Sequence, residues 1–334
     1  MEYVLLIIGF VLLIKGADFF VDGSSAIARL FKVPPIVIGL TIVAFGTSLP
    51  EAAVSISAAI AGENSIAISN VLGSNIFNLL VVLGASALIL PVAAKSATIK
   101  TEIPLTIGAT VLLGTLLLFN TAATPENGDL GFFKGLFADG TTFTLSRIGG
   151  VILLVCFAAY LGLQIMSTLR ARRNGELDEE DDGGKKIPLW LALIYIVGGA
   201  VGIIFGGDLV VDSATIIAES FGMSPTLIGL TIVAVGTSLP ELVTSIVAAK
   251  KGESDIALGN VVGSNMFNIV FILGMSAAVS PITVDVLSII DTVVLVAVSL
   301  VCWWFTATKK KVSRVEGAIM LAMYIAYSAY IIIR

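Results

Sequence analysis

The sequence predicts an all-α integral membrane protein whose ten transmembrane helices form two inverted-topology repeats of five helices. Three observations carry this. The chain is 57% hydrophobic and 13% charged, whereas a soluble protein carries about 25% charged residues, so it lacks the charge to cover a water-facing surface. Apolar stretches of about 20 residues, each long enough to cross about 30 Å of hydrocarbon, recur along its length. Residues 39–84 also reappear at 229–274 without a gap, with 29 of 46 aligned positions identical. Chance agreement between apolar segments would preserve leucines and valines, but here the surviving matches are polar. Thr47, Ser48, Pro50 and Glu51 lie over Thr237, Ser238, Pro240 and Glu241, and Ser74, Asn75 and Asn78 lie over Ser264, Asn265 and Asn268.

Helical spans suit these lengths better than barrel strands. They are expected at 3–30, 35–61, 66–91, 103–120, 146–169, 187–218, 225–250, 256–280, 289–307 and 314–333, punctuated by Pro34-Pro35, Gly62, Pro104, Pro188 and Pro225. The first has no basic segment before its apolar run and no clear cleavage site, so it reads as a retained helix and not a signal peptide. Residues 171–186 form a polar, acidic linker between a first repeat at 1–170 and a second at 187–334. The acidic cluster Glu176–Asp182 within this linker accounts for most of the net charge of −5. Its acidic run lacks the spacing and glycine of an EF-hand loop and reads as solvated.

Basic residues set the orientation. Alternate loops hold fifteen of the nineteen Lys and Arg, among them Arg29, Lys32, Lys95, Lys100, Lys250, Lys251 and Lys309–Lys311. The positive-inside rule places those loops in the cytoplasm and both termini outside a plasma or inner membrane. Five spans per repeat is an odd number, so the second repeat must enter the bilayer from the opposite side. Inverted repeats with interrupted helices meeting at the midplane are a carrier architecture, although channels are also duplicated.

Absences narrow the chemistry. No histidine exists for a zinc site or an imidazole relay. Cys156 and Cys302 fall inside apolar spans and read as packing. No basic stripe suggests nucleic acid. Without a base and an oxyanion site, a hydroxyl beside a carboxylate is not catalytic, so neither an enzyme nor a resident cofactor is expected.

Glu51 and Glu241 are each expected near mid-membrane, where an ionisable group costs at least about 2.5–3.5 kcal/mol and is functional by default. The competing reading, a structural carboxylate bonded to a neighbouring helix, is weakened by the duplication. Pro50 has no N–H and its ring crowds the carbonyl of Gly46. The helix should open there, freeing carbonyls around Ala44 and Gly46 beside the hydroxyls of Thr47 and Ser48. Ala234, Gly236, Thr237 and Ser238 repeat this in the seventh span. Freed backbone groups are tolerated in a membrane only where they line a cavity or bind something.

Ser74 and Asn78 are four apart and share a helix face, as do Ser264 and Asn268. Asn75 and Asn265 point about 100° away and are expected to bond neighbouring backbone. Gly73 and Gly263 permit close helix approach. The pairs Asp18/Asp22 and Asp208/Asp212 read as anchoring contacts of helices one and six, and Gly62-Glu63 and Gly252-Glu253 as helix ends.

Carboxylates, hydroxyls, amide oxygens and carbonyls make a hard-cation cage suited to Ca²⁺, Na⁺ or Mg²⁺ and poor for Zn²⁺ or Cu⁺. Numerous flexible oxygens favour Ca²⁺ over Mg²⁺. Two carboxylates roughly 5 Å apart would repel by about 3 kcal/mol at an effective dielectric of about 20. A doubly charged site should therefore cross the membrane only when loaded, which is the behaviour of an obligate exchanger.

These residues resemble a known family. GTSLPE with GSNIFN, and again GTSLPE with GSNMFN, are similar to the paired α-repeats of the Na⁺/Ca²⁺ exchanger branch of the Ca²⁺:cation antiporters, in the prokaryotic form. The resemblance implies ion-binding positions built from Glu51, Glu241, Thr47, Thr237, Ser48, Ser238, Ser74, Ser264, Asn78 and Asn268, with the carbonyls of Ala44 and Ala234. It also implies that helices one and six slide as a pair to switch access. Proton-coupled members carry a Gly-Asn…Glu pattern where this chain has Gly46-Thr47-Ser48-Leu49-Pro50-Glu51, which favours Na⁺ over H⁺. Potassium-dependent members have Asp where this chain has Asn268, which argues against K⁺ dependence. The linker is far too short for the regulatory domains of animal exchangers. A monomeric Na⁺/Ca²⁺ antiporter is thus expected, with a H⁺/Ca²⁺ antiporter and, remotely, a cation channel as alternatives.

Overall fold

The computed structural model describes residues 1–119, 121–122, 141–173, 187–222 and 234–333. Helices dominate. They are α1 (Glu2–Leu30), α2 (Pro35–Thr47), α3 (Leu49–Ala61), α4 (Asn64–Ile89), α5 (Thr98–Phe119), α6 (Arg147–Arg170), α7 (Leu189–Ser220), α8 (Leu239–Lys250), α9 (Ser254–Val279), α10 (Val286–Lys309) and α11 (Arg314–Ile333). Among the described residues, eight helices are long and apolar enough to cross a membrane, and α2 with α3 makes a ninth, bent by 53°. The span expected at 225–250 begins outside the described residues; its second half is α8. The acidic run of the linker, Glu176–Asp182, also lies outside them.

Among the described residues, five short strands pair the loops: β1 (Val92–Ala93) with β5 (Lys311–Val312), and β2 (Thr121–Ala122) with β3 (Thr142–Leu145) and β4 (Ile282–Val284). Segments of two to four residues carry too little periodicity to be seen in the sequence. They pair because main-chain groups beyond a helix end still need partners. The pairing also sorts the loops. The 92–93 and 311–312 segments share one end of the bundle with ion pairs Lys95–Asp255 and Arg29–Glu253. The strands β2, β3 and β4 share the other. This grouping agrees with the alternation of basic residues, and the first end is called the basic face below.

Burial separates two kinds of helix. The apolar windows of α9 and α4 are 94% and 72% buried, whereas that of α11 is 11% buried. The two helices carrying the Gly-Ser-Asn motifs are therefore the centre of the bundle. Around them, α1 and α7 expose Ile7, Phe10, Val11 and Ile14, and Trp190, Ile194, Val197 and Phe205. An apolar stripe of this extent suits hydrocarbon and not water.

The α1–α7 contact is a glycine seam. Gly9, Gly16 and Gly23 recur every seven residues and meet Gly206, Gly199 and Ala192 on α7, so the backbones touch with no side chain between. Beyond this seam, α1 packs along α8, while its repeat mate α7 makes no comparable packing on α3 among the described residues.

Lys251, just past α8, ties α1 down at the basic face. Its Nζ donates to Asp18 O at 2.8 Å and to Asp22 Oδ1 at 2.6 Å, and lies 2.9 Å from Asp18 Oδ1. The anchoring reading of Asp18 and Asp22 thus has its partner. Asp208 and Asp212 are exposed, and Ala61 stands where the repeat would place a matching lysine. Because these groups are partly solvated, Lys251→Gln should cost less than about 1 kcal/mol, read as a small fall in Tm that shrinks further in high salt.

Candidate functional site

The site is built where α2 and α8 meet the centres of α4 and α9. Ser48 leaves helical geometry at φ −87°, ψ 11° and Ser238 at φ −95°, ψ 5°, each followed by proline in the first turn of the next helix. The proline has no N–H to continue the preceding ladder, so the turn opens at the serine. Glu51 and Glu241 then fall in the first turns of α3 and α8, where exposed N–H groups and the helix dipole favour anions. Both helices end at a left-handed glycine, Gly62 at φ 80° and Gly252 at φ 79°, confirming these corners as helix ends. The central helices have a matching local feature. Both widen into π-helical turns, over Asn78–Val82 in α4 and Phe267–Ile272 in α9. Such turns are frequent at functional sites, and these two contain Asn78 and Asn268.

Glu51, Glu241, Ser48, Ser238, Thr47, Asn78, Asn268 and Ser264 have no solvent exposure, and Ser74 has 3%. The carboxylates are held crosswise. Ser48 Oγ donates to Glu241 Oε1 at 2.7 Å, and Ser238 Oγ to Glu51 Oε1 at 3.0 Å. Each glutamate therefore takes the serine of the other repeat's broken helix. Ser264 Oγ lies 3.4 Å from Glu241 Oε1, and Ser238 Oγ lies 3.1 Å from Ser74 Oγ. On the far side, Asn75 and Asn265 exchange Nδ2–H···O bonds with each other's main chain, both at 3.2 Å. They bond backbone as expected, but that of the opposite repeat. Asn268 Nδ2 donates to Asn75 Oδ1 at 3.0 Å.

Several buried oxygens have no donor among the described residues: Glu51 Oε2, Glu241 Oε2, Asn78 Oδ1 and Asn268 Oδ1. Buried polar atoms are normally satisfied. An oxygen set of this kind, with two carboxylates and no sulfur or imidazole, fits a hard cation as cargo.

Two expectations need adjustment. The Ala44 carbonyl is not freed by the break, because it accepts the Ser48 N–H at 3.0 Å; the group that loses its donor to Pro50 is Gly46. Thr237 is partly exposed and its Oγ1 has no partner among the described residues, whereas Thr47 Oγ1 lies 3.0 Å from Asn260 Oδ1. Sequence reasoning missed Asn70, Asn260, Ser55 and Ser245. The signal was present: all four are repeat-matched, and Asn70 stands four residues before Ser74 on the same face. It also missed two acids within spans, Glu102 and Asp291. These are engaged elsewhere, Glu102 Oε2 by Gln164 Nε2 at 2.8 Å and Asp291 Oδ1 by Tyr327 at 3.2 Å.

A profile of the sodium/calcium exchanger protein family matches residues 1–166 and 191–333. The chain belongs to the sodium/calcium exchanger family. It is 40% identical over 97% of its length to a candidate antiporter of Alkalimonas amylolytica, CaxA, covering 96% of that protein. It is 35% identical to the sodium/calcium exchanger MaX1 of Methanosarcina acetivorans, over 98% of this chain and 97% of the other. Solved structures of the sodium-calcium exchanger NCX_Mj superpose with a TM-score of 0.78 at 32% identity, covering 98% of this chain and 97% of that one. The exchanger-family chain is thus a helical, multi-pass membrane protein with that fold, and its named relatives are transporters.

Proposed function

We propose that this family member is a Na⁺/Ca²⁺ antiporter working by alternating access around Glu51 and Glu241. The observation that carries the reading is the crosswise pairing of Ser48 with Glu241 and of Ser238 with Glu51. A cation held by both carboxylates would draw the two broken helices together, so loading and closure become one event. In this reading Ca²⁺ is the cargo at the paired carboxylates and Na⁺ competes for the same oxygens. The ligands are Glu51, Glu241, Ser48, Ser238, Ser74, Ser264, Asn78 and Asn268, with main-chain or hydroxyl oxygens of Thr47 and Thr237 and the carbonyls of Ala44 and Ala234. The Ala44 carbonyl can serve because a carbonyl oxygen has a second lone pair.

Architecture follows from the same reading. Ten spans form two five-helix units, 1–170 and 187–334, of opposite topology, joined by the cytoplasmic linker 171–186. The basic face is cytoplasmic, both termini lie outside the cell or inner membrane, and the lipid-embedded monomer suffices for exchange.

The coupling ion is tested with Ca²⁺ uptake into proteoliposomes loaded with Na⁺, beside Na⁺-free vesicles with and without a pH gradient. Uptake that requires internal Na⁺ and ignores the pH gradient is expected. Uptake following the pH gradient alone would establish the H⁺/Ca²⁺ alternative, and flux indifferent to both would mean a channel.

A further inference from the structure

The polar network has an outer layer that ion ligation does not account for. Asn70 on α4 donates from Nδ2 to Glu51 O at 3.3 Å and to Ser55 Oγ at 2.9 Å. Asn260 on α9 does the same to Glu241 O at 3.3 Å and Ser245 Oγ at 2.9 Å. Two identical clamps thus hold the main chain where each carboxylate leaves its helix.

The amide oxygens break this symmetry. With both Nδ2 hydrogens engaged, Asn260 Oδ1 is left to accept, and Thr47 Oγ1 reaches it at 3.0 Å from the other repeat's broken helix. The repeat-related bond, Thr237 to Asn70, is not made, and the buried Thr237 Oγ1 has no partner among the described residues. The surroundings are unequal in the same sense. Asn260 has no solvent exposure while Asn70 is partly exposed. Asn260 also sits in the half of the molecule where α1 packs along α8 and Lys251 holds Asp18 and Asp22. The half against which α1 packs has the threonine bond; the half without such packing lacks it.

We propose that Asn70 and Asn260 are positioning residues that couple each carboxylate to a gate, each accepting the opposite repeat's threonine only while the route on its own side is shut. The proposal rests on the alternating-access reading above. When access inverts, Thr47 releases Asn260, and Thr237 engages Asn70. The exchange is cheap for Thr47, because Val43 O lies 3.1 Å from the same hydroxyl. One proton has two acceptors, and the gate decides between them.

Hydrogen–deuterium exchange of the full-length protein in lipid nanodiscs tests this without requiring transport. Thr47→Val should speed exchange across residues 239–260 by about two- to tenfold, the range one buried hydrogen bond controls, and slow it across 49–70. Thr237→Val should not speed 239–260, and should bias the two segments the other way. Thr47→Ser keeps the hydroxyl and should behave as wild type. Asn260→Leu, which also removes the Glu241 and Ser245 bonds, should speed 239–260 at least as much as Thr47→Val, and adding Thr47→Val to it should change little further. Threonine variants that shift both segments alike, or a Thr47→Ser as disturbed as Thr47→Val, would overturn the coupling. Wild-type protein without Na⁺-driven Ca²⁺ uptake would overturn the exchanger reading alone, since the exchange pattern is read independently.

Discussion

Glu51→Gln and Glu241→Gln should each lower Na⁺-driven Ca²⁺ uptake by about a hundredfold or more while leaving the protein folded. The substitutions are nearly isosteric, so packing around a fully buried side chain survives. What changes is charge. Each glutamate accepts a charge-assisted bond from the opposite repeat's serine, at 2.7 Å and 3.0 Å, and each keeps a second oxygen without a donor among the described residues. Removing one member of a buried charge set costs about 3–5 kcal/mol, which sets the hundredfold floor. A glutamine also places an NH₂ where a cation ligand stood. Without Ca²⁺ the same change relieves repulsion between two buried carboxylates, so the variants should melt no lower than wild type. Added Ca²⁺ should raise the wild-type Tm by mass action and leave both variants unmoved. One variant retaining both uptake and the Ca²⁺-dependent shift would show that the carboxylates do not share one site.

The duplication made this pair legible. Polar identities repeated inside apolar runs pointed to Glu51, Ser48, Ser74, Asn78 and their mates, and hydrogen bonds join the glutamates to Ser48, Ser238 and Ser264 and Ser238 to Ser74. Their pairing was not legible. Ser48 precedes Glu51 by one helical turn, and nothing in a one-dimensional pattern says that it bonds Glu241 instead. Only the crossing of two broken helices decides that. The Ala44 carbonyl shows the opposite error, since the opening at Gly46 was extended two residues too far up the helix. Asn70 and Asn260 were visible in principle, sharing both the offset and the face of Ser74 and Asn78. The short strands carry no pattern in sequence, because their register is fixed by the helices that end beside them.

The largest stability contrast should come from neighbouring glycines on α7. Gly199→Ala should destabilise the protein by about 1–3 kcal/mol and slow exchange. Gly198→Ala should be neutral or slightly stabilising, since alanine exceeds glycine by up to about 1 kcal/mol in a helix. The reason lies in what a new methyl would meet. At Gly199 it would lie 2.7 Å from Gly16 O and 2.7 Å from Phe20 N, both main-chain atoms of α1; at Gly198 nothing among the described residues lies within 4 Å. A side chain can turn away from an added methyl, but a helix backbone cannot, so α1 and α7 would have to part along the seam. Gly206→Ala should act as Gly199→Ala does, its methyl falling 2.5 Å from Leu13 N. Thermal melts in detergent separate these cases, and uptake decides what the seam is for. If α1 and α7 move as one body, a parted seam should lower the maximal rate more than it weakens Ca²⁺ affinity, because the atoms nearest either methyl belong to α1 and not to the carboxylates. A Gly199→Ala variant that melts lower yet exchanges at the wild-type rate would reduce the seam to a packing device and end the argument for a sliding pair.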